Sequence, residues 1–275
     1  MKNIIKTLLI LSVFSFSLSC TKVIDVDVPN GGERLIVEAS IEWQKGSDGK
    51  TQTIRLNKST NYFDANKINP ATAAIVTVTN TSTNETFLFT EQENGVYVCN
   101  NFKPTLNDTY NLKIDYENEI IESTSVLTPV SIIKNVYQEI ESGFGEEQIS
   151  VVAEADDPAG IKNFYFLKFF LNQETNPAGR STSSDELSDG NTLSEDFESD
   201  GLKAGDEIRI NLQGITEAYF YYLELLITQS EGSDGPFQSI PAKLIGNCIN
   251  TTNSNIEVLG YFNLSETDDY IYTVK

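Results

Sequence analysis

Cys20 is the residue whose position in this sequence points most clearly to a chemical reaction. Lys2 and Lys6 give a basic start, and the stretch from Thr7 to Leu18 is apolar or hydroxylated. A membrane span needs about 20 apolar residues, so this shorter stretch predicts a secretory signal peptide over residues 1–19. A cysteine directly behind such a core is the acceptor of acyl groups in exported bacterial proteins. We therefore expect a lipid anchor at Cys20.

The residues before Cys20 determine how well the segment matches an acylation site. Ser19 supplies the small residue at the cleavage point, but Ser17 stands three positions before the cysteine, where leucine is usual. The alternative is an ordinary secreted protein in which Cys20 pairs with another cysteine. If acyl chains such as palmitate are attached, each buried methylene contributes ~0.8 kcal/mol to membrane binding, and attachment is stable.

Cys99 and Cys248 are the other two cysteines, and export would permit a disulfide between them. Closing a loop of roughly 150 residues would stabilise the fold by about 5 kcal/mol in the chain-entropy model. Sequence separation does not show whether two thiols meet in space. Two alternatives are open: a Cys99–Cys248 bridge, or two buried free thiols.

Histidine is absent from the sequence, which removes several common kinds of active site. Ser-His and Cys-His catalysis, the usual zinc sites and histidine pH switches all depend on imidazole. No local motif for carboxylate-pair, Ser-Lys or carboxylate–metal catalysis is present either. We expect no enzymatic activity and assign no catalytic residue. The formal net charge of −21 at pH 7 also argues against nucleic acid and anionic lipid headgroups as partners, because like charges repel.

Residues 173–203 form a polar, acidic segment with no clear secondary-structure pattern. A structureless connector of about thirty residues in a compact domain is usually functional or disordered. Carboxylates are suitable ligands for Ca²⁺, so a calcium site is one interpretation, although the spacing is not that of a helix–loop–helix site. A mobile acidic loop is the alternative, and no other metal or cofactor is expected. The acidic residues are Asp185, Glu186, Asp189, Glu195, Asp196, Glu198 and Asp200.

Aromatic side chains offer the remaining binding chemistry. Aromatic residues occupy positions 219–222 in succession, and Trp43 is the single tryptophan. Exposed rings of this kind could bind a glycan by stacking. An aromatic stripe at helical spacing more often packs against a sheet, so both interpretations are open.

Short β segments separated by turns dominate residues 33–128. Residues 35–43 have an apolar strand pattern, and residues 51–56 and 110–116 alternate apolar and polar side chains, which is the pattern of half-buried strands. About seven such segments predict an immunoglobulin-like β-sandwich. The turn at residues 107–109 predicts that Tyr110 fixes the corner behind it. Residues 20–32, ahead of this domain, predict a short lipidated tether.

A second β-rich domain is predicted over residues 129–275. The boundary is placed at Thr128-Pro129, because proline suits a connector and cannot donate to a strand ladder. Residues 163–172 carry apolar side chains at successive positions, which predicts a central strand buried on both faces. Thr216 can cap one helix over residues 216–230. The sequence as a whole therefore predicts a mostly β protein with one helix.

Several of these stretches together resemble one family, the lipoproteins of Bacteroidota catalogued as the domain of unknown function numbered 4249. The resemblance implies association with the outer membrane, no assigned enzymatic activity, and genes that lie beside those of TonB-dependent receptors. Cys248, directly after Gly246-Asn247, is not expected from the family pattern. The matching features are Cys20, Leu35-Ile36-Val37-Glu38-Ala39, Gly95-Val96-Tyr97, the Tyr-rich helix, Pro241 to Asn247 and Leu259-Gly260-Tyr261-Phe262.

The predicted anchor, the β domains and the resemblance favour an accessory subunit of a TonB-dependent receptor or related outer-membrane barrel complex. Its lipid would hold it in the outer membrane, with the periplasmic and cell-surface faces both open. A surface lipoprotein that binds glycan or peptide is the second hypothesis. The third is a hydrolase with two carboxylates facing each other across a cleft, about 5 to 9 Å apart.

Overall fold

The computed structural model describes residues 32–60, 67–142, 147–199, 201–230 and 242–275. Within these ranges the chain forms fifteen strands and one helix, which confirms the prediction of a mostly β protein with one helix. The predicted signal peptide, Cys20 and the tether as far as residue 31 lie outside the described residues.

Eight strands close into a barrel-like ring. Their order around the ring is β1-β2-β5-β4-β3-β6-β7-β15, and a parallel pairing of β15 with β7 at Leu264↔Leu127 and Ser265↔Thr128 closes it. Residues 33–128 therefore contribute seven ring strands, and the eighth comes from the C-terminal end of the chain. The strands are β1 (Leu35–Gln44), β2 (Gln52–Lys58), β3 (Ile75–Asn80), β4 (Thr86–Glu93), β5 (Val96–Cys99), β6 (Thr109–Tyr116), β7 (Glu119–Thr128) and β15 (Leu259–Thr273).

Alternating side chains build the interior of the ring. Along β6, Tyr110, Leu112 and Ile114 are buried while the residues between them are exposed, as the period of a strand requires. The ring of Phe102 contacts those of Phe87 and Tyr110 at centroid distances of 4.7 and 5.5 Å. Burying each large apolar side chain contributes about 1.5–3 kcal/mol to stability.

Tyr110 also confirms the predicted corner. Its hydroxyl accepts a hydrogen bond from the backbone N–H of Thr105 at 2.9 Å and donates to the carbonyl of Lys103 at 3.1 Å. The side chain thus joins the start of β6 to the backbone a few residues upstream, as in the tyrosine corners of β-sandwiches.

A second unit, which we call the C-terminal sandwich, packs two sheets face to face. One is the three-stranded sheet β12-β9-β8, and the other is the end of the long sheet, β11-β10-β13, together with the last part of β15. Its strands are β8 (Ile133–Ser142), β9 (Glu147–Asp156), β10 (Phe164–Leu171), β11 (Gly179–Ser184), β12 (Thr192–Glu198) and β13 (Glu207–Ile215), and the two-residue β14 (Ile249–Asn250) pairs with β7 in the ring.

Strand β10 is buried on both faces, as its run of apolar residues predicted, and Lys168 is the single charged residue in it. Tyr165, Leu167 and Phe169 enter the core between the two sheets, whereas Phe164 and Phe166 pack on the opposite face beneath the helix. The strand lies between β11 and β13, so its backbone is also paired on both sides.

The fifteen-residue β15 connects the ring and the C-terminal sandwich. Its first part pairs in parallel with β1, and its last part pairs antiparallel with β13. Thr267 stands opposite both Gln44 and Gln213, where the two pairings meet. A strand of this length spans about 50 Å. The boundary at residues 128/129 stays a prediction, but β15 from the second predicted domain completes the ring formed by the first.

The prediction that residues 173–203 lack secondary structure is wrong. Strands β11 and β12 both lie in this segment and pair with β10 and β9. Pairing occurs through the backbone, so a hydroxyl-rich or acidic strand forms without an apolar pattern when a neighbouring strand presents a free edge. Phe197 is the buried anchor of β12, and its ring stacks on Phe169 at 5.1 Å.

Helix α1 (Glu217–Ser230) matches the helix predicted over residues 216–230. The hydroxyl of Thr216 accepts a hydrogen bond from the N–H of Tyr219 at 3.3 Å, which caps the helix start. Phe220 and Leu223 bury one face of α1 against β10. In the described parts of the chain, no helix is both long enough and apolar enough to cross a membrane.

Candidate functional site

An open groove of about 540 Å³ runs between α1 and β11. This volume lies in the range of small-ligand sites, roughly 300–1,000 Å³. The lining combines apolar, hydroxyl and charged groups from both elements. Its residues are Arg180, Ser181, Thr182, Tyr221, Glu224, Leu225, Ile227 and Thr228.

The position of β11 explains why the groove is open. This strand is the last in the order of the long sheet, so among the described strands it pairs with β10 alone and its other backbone edge carries no strand. An unpaired strand edge can accept a further strand. Tyr221, on the helix side of the groove, is 52% exposed. The groove therefore combines a free strand edge with an exposed aromatic ring.

The other aromatic candidates are half-buried and pack against one another. Tyr219, Tyr222 and Tyr261 form a cluster with ring centroids 4.6 to 6.0 Å apart. Burial raises the pKa of each of these hydroxyls. These rings fix α1 to the sheet, which favours packing over ligand stacking for this part of the aromatic run.

Trp43 is also held by the protein and is half-buried. Its indole N–H donates to the carbonyl of Ser47 at 3.0 Å. Gly49 lies against the ring so closely that a Cβ there would stand 2.6 Å from Trp43 Cδ1. The indole therefore packs within its own turn, and Tyr221 is a better candidate platform for a ligand.

Three aspartates, which we call the carboxylate cluster, lie at one end of the C-terminal sandwich. Asp157, Asp185 and Asp189 each place a carboxylate oxygen within 4.8 Å of the others. Asp157 follows β9, whereas the other two follow β11. None of the three lines the groove.

Hydrogen bonds fix two members of the cluster in place. Asp157 accepts from the Tyr165 hydroxyl at 2.6 Å and from the Gly190 N–H at 3.0 Å. Asp189 accepts from the Gly160 N–H at 2.7 Å. Burial, followed by the bond to Asp157, raises the pKa of Tyr165, so its hydroxyl stays protonated and donates.

Asp185 is the most buried member, with 4% of its surface exposed. Its Oδ2 accepts from the Asn163 N–H at 2.8 Å. Its Oδ1 is buried and has no hydrogen-bond partner among the described residues. A buried charged oxygen without a partner is costly, so this atom needs an explanation.

The structure brings only part of the predicted acidic segment together. Asp185 and Asp189 join the cluster, while Glu195 instead accepts a short hydrogen bond from Ser181 and Asp196 is exposed. Asp200 lies outside the described residues. Asp157 lies outside the acidic segment that the sequence singled out. A sequence signal for the cluster was available, because Asp157 and Asp189 each stand shortly before a glycine in the turn that follows a strand.

Cys99 and Cys248 are both free and buried, so the structure contains no bond between them. The thiol of Cys99 is 3.2 Å from Asn101 Oδ1. Burial raises the pKa of Cys248 to about 12. At neutral pH this thiol is therefore protonated. Cys20, the predicted lipidation residue, lies outside the described residues.

The segment before Cys248, which is part of the family resemblance, is hydrogen-bonded to β15. The side-chain amide of Asn247 donates to the carbonyl of Phe262 and accepts from the N–H of Phe262, both at 2.8 Å. Asn247 thereby pairs with the β15 backbone like one residue of a neighbouring strand. Gly246 and Gly260 make the approach possible, because a Cβ on Gly246 would stand 1.7 Å from the Gly260 carbonyl oxygen.

Comparisons with known proteins identify the family. No curated protein matches the chain. Among solved structures it is similar to the crystal structure of chicken CNTN1 FN1-FN3 domains, with 14% identity and a TM-score of 0.26, over 65% of this chain and 57% of that one. The chain thus spans less than two thirds of that structure, and such a TM-score does not establish a shared fold. The family model described as "Domain of unknown function (DUF4249)" matches residues 21–271, so this chain belongs to the DUF4249 family.

Proposed function

We propose that this chain is a non-enzymatic lipoprotein of the outer membrane, an accessory subunit of a TonB-dependent receptor or a related barrel complex. The observation that carries the proposal is the groove between α1 and β11, because it offers a binding face that combines a strand edge with an exposed aromatic ring. The predicted anchor at Cys20 and the family membership support the membrane setting. The immunoglobulin-like description of the fold of residues 33–128 also stays a prediction.

The chemistry of the groove suits an extended segment of a partner protein. A peptide strand that adds to the free edge of β11 would gain backbone hydrogen bonds, which is a common mode of peptide recognition. The exposed ring of Tyr221 offers an aromatic contact beside that edge. The hydroxyls of Ser181, Thr182 and Thr228 would hydrogen-bond to polar groups of the bound peptide. Loops of a receptor barrel present segments of this kind.

The proposed anchor would keep this face close to the membrane. A chain over residues 20–32 can span at most about 45 Å when fully extended. That distance restricts the folded units to a shell near the membrane surface, where a barrel partner's loops lie. A restricted volume raises the effective concentration of the two partners, so a modest intrinsic affinity is sufficient.

Affinity purification from detergent-solubilised native membranes tests the proposal. The tagged wild-type protein is expected to recover a barrel receptor. Tyr221→Ala should reduce that recovery, because the ring is 52% exposed in the groove. Leu88→Ala is the control, since Leu88 is 54% exposed on β4 and outside the groove. Recovery of no barrel protein would contradict the proposal, and equal losses in both variants would exclude the groove as the docking face.

Binding of a glycan or free peptide is the second candidate function, and the hydroxyl-rich lining of the groove favours it. Among the described residues, however, the exposed aromatic side chains are Tyr221 and Tyr270, which do not form a row. Calorimetric titration of the purified protein with surface glycans and peptides distinguishes the two functions. Saturable binding that Tyr221→Ala abolishes, together with no barrel in the purification, would favour the second.

A further inference from the structure

We propose that the carboxylate cluster, Asp157, Asp185 and Asp189, binds a Ca²⁺ ion that joins the two loops connecting the sheets of the C-terminal sandwich. This inference does not depend on the proposed function. It concerns a different end of the same unit and a ligand of different chemistry.

The spacing of the cluster suits one calcium ion. Ca²⁺ binds carboxylate oxygens at 2.3–2.6 Å, so two ligands on opposite sides of the ion stand about 4.8 Å apart. The three aspartates place oxygens within 4.8 Å of one another. Mg²⁺ has shorter ligand distances, about 2.1 Å, and loses its water reluctantly. Oxygen donors alone also make zinc a poor match, since zinc sites usually include sulfur or nitrogen ligands.

The buried oxygen of Asp185 is the second observation that points to a cation. Asp185 Oδ1 is inaccessible to solvent and has no hydrogen-bond partner in the described part of the chain. The other oxygen of this carboxylate is fixed by the Asn163 N–H. A carboxylate held in this way keeps one oxygen available for a metal ion. Coordination would satisfy an oxygen that is otherwise costly to bury.

No described lysine or arginine approaches the carboxylate cluster within ion-pair distance. None of the ion pairs among the described residues includes Asp157, Asp185 or Asp189. Lys162, from the loop that follows Asp157, is 2.8 Å from Glu217 and 3.7 Å from Glu186 instead. Three adjacent carboxylates repel one another when all are ionised, and a divalent cation removes that repulsion.

The carboxylate cluster lies on two loops that each connect the two sheets of the C-terminal sandwich. Residues 157–163 lead from β9 to β10, and residues 185–191 lead from β11 to β12. Each loop therefore crosses from one sheet of the sandwich to the other. The Asp157 N–H donates to the Asn191 carbonyl at 3.1 Å, and the Asp185 N–H donates to Asn163 at 3.2 Å. A bound ion would hold both crossings together and stabilise this end of the sandwich.

Calorimetric titration with CaCl₂ tests the site on the full chain, purified in detergent and stripped of metal with a chelator. We expect saturable binding of one ion with a Kd between about 10⁻⁵ and 10⁻³ M. The melting temperature should rise over the same concentration range, because a ligand that binds only the folded state stabilises it. MgCl₂ should bind far more weakly. Absence of saturable Ca²⁺ binding up to about 10 mM would overturn the proposal.

Matched variants locate the ion. Asp185→Asn and Asp189→Asn each remove one ligand charge and should weaken Ca²⁺ binding by at least about tenfold. Asp196→Asn, an exposed acid on nearby β12, should leave the affinity unchanged. If Asp185→Asn fails to fold, the exposed Asp189 still provides the test. Equal weakening by Asp196→Asn, or a melting temperature that responds only to protons, would show counterion binding or a shared proton and overturn the site.

Discussion

Replacing Gly260 by alanine is expected to destabilise the protein more than the same change at Gly205. The two glycines have nearly the same backbone angle, with φ of +92° and +94°. A Cβ on Gly260 would stand 2.0 Å from the carbonyl oxygen of Val37, whereas a Cβ on Gly205 would have no atom within 4 Å. The pair therefore separates the cost of the backbone angle from the cost of the close approach of β15 to β1.

The expected magnitude has two parts. A side chain at such a φ costs of order 1–3 kcal/mol, and both variants share this cost. The clash at Gly260 involves the Val37 backbone, which is paired with β15 and cannot rotate away. Overpacking of this kind costs typically 1–3 kcal/mol more. We expect Gly260→Ala to lose about 2–6 kcal/mol in total, out of the 5–15 kcal/mol that a folded protein has.

Urea unfolding followed by tryptophan fluorescence measures the difference. Trp43 is the single tryptophan and stands opposite Glu266 in the β1–β15 pairing, so its emission reports the ring. The free energy of unfolding should be at least about 1 kcal/mol lower for Gly260→Ala than for Gly205→Ala. Equal values would refute the close approach of β15 to β1 and, with it, the pairing that completes the ring.

Three further predictions concern single side chains. Asn247→Ala should lower the free energy of unfolding by about 1–3 kcal/mol, because two hydrogen bonds to β15 are lost; urea unfolding measures it, and an unchanged midpoint would contradict the pairing. Cys248 should resist iodoacetamide in the folded protein at about pH 8, and stability should fall as pH rises above about 8.5, because the unfolded thiol ionises there and the buried one, with pKa raised to about 12, does not. Mass spectrometry of labelled peptides checks the first point, and rapid native labelling would contradict it. Hydrogen bonds from Asn172 and from the Lys203 backbone lower the pKa of Asp206, so its contribution is present above about pH 4 and is lost as pH falls further. Asp206→Asn should therefore destabilise the protein at neutral pH and matter little in acid, and an equal effect at both would be inconsistent with this.

The parts of the fold that could be predicted from sequence depend on local patterns. Alternation along β6, two-sided burial of β10 and the cap at Thr216 are each set by a few adjacent residues. The corner at Tyr110 was also predictable, because a tyrosine behind a turn has the backbone within reach of its hydroxyl. In each case the local pattern already indicates the structure, and the surface against which it packs adds only detail.

The parts that escaped prediction depend on residues far apart in the chain. Strand β15 finds β1 more than two hundred residues upstream, and no local pattern encodes that choice. Strands β11 and β12 form without an apolar pattern because β10 and β9 supply free backbone edges with which they pair. The carboxylate cluster joins Asp157 to two acids on another loop, so its third member becomes visible only when both loops meet at one end of the sandwich.

Intact-mass spectrometry of the protein extracted from its native membrane tests the proposed membrane attachment most directly. The docking proposal depends on that attachment. We expect a mature chain that begins at Cys20 and carries the mass of its acyl chains. A mature chain with an unmodified Cys20, recovered from the soluble periplasmic fraction, would contradict the proposed anchor and the docking function that depends on it.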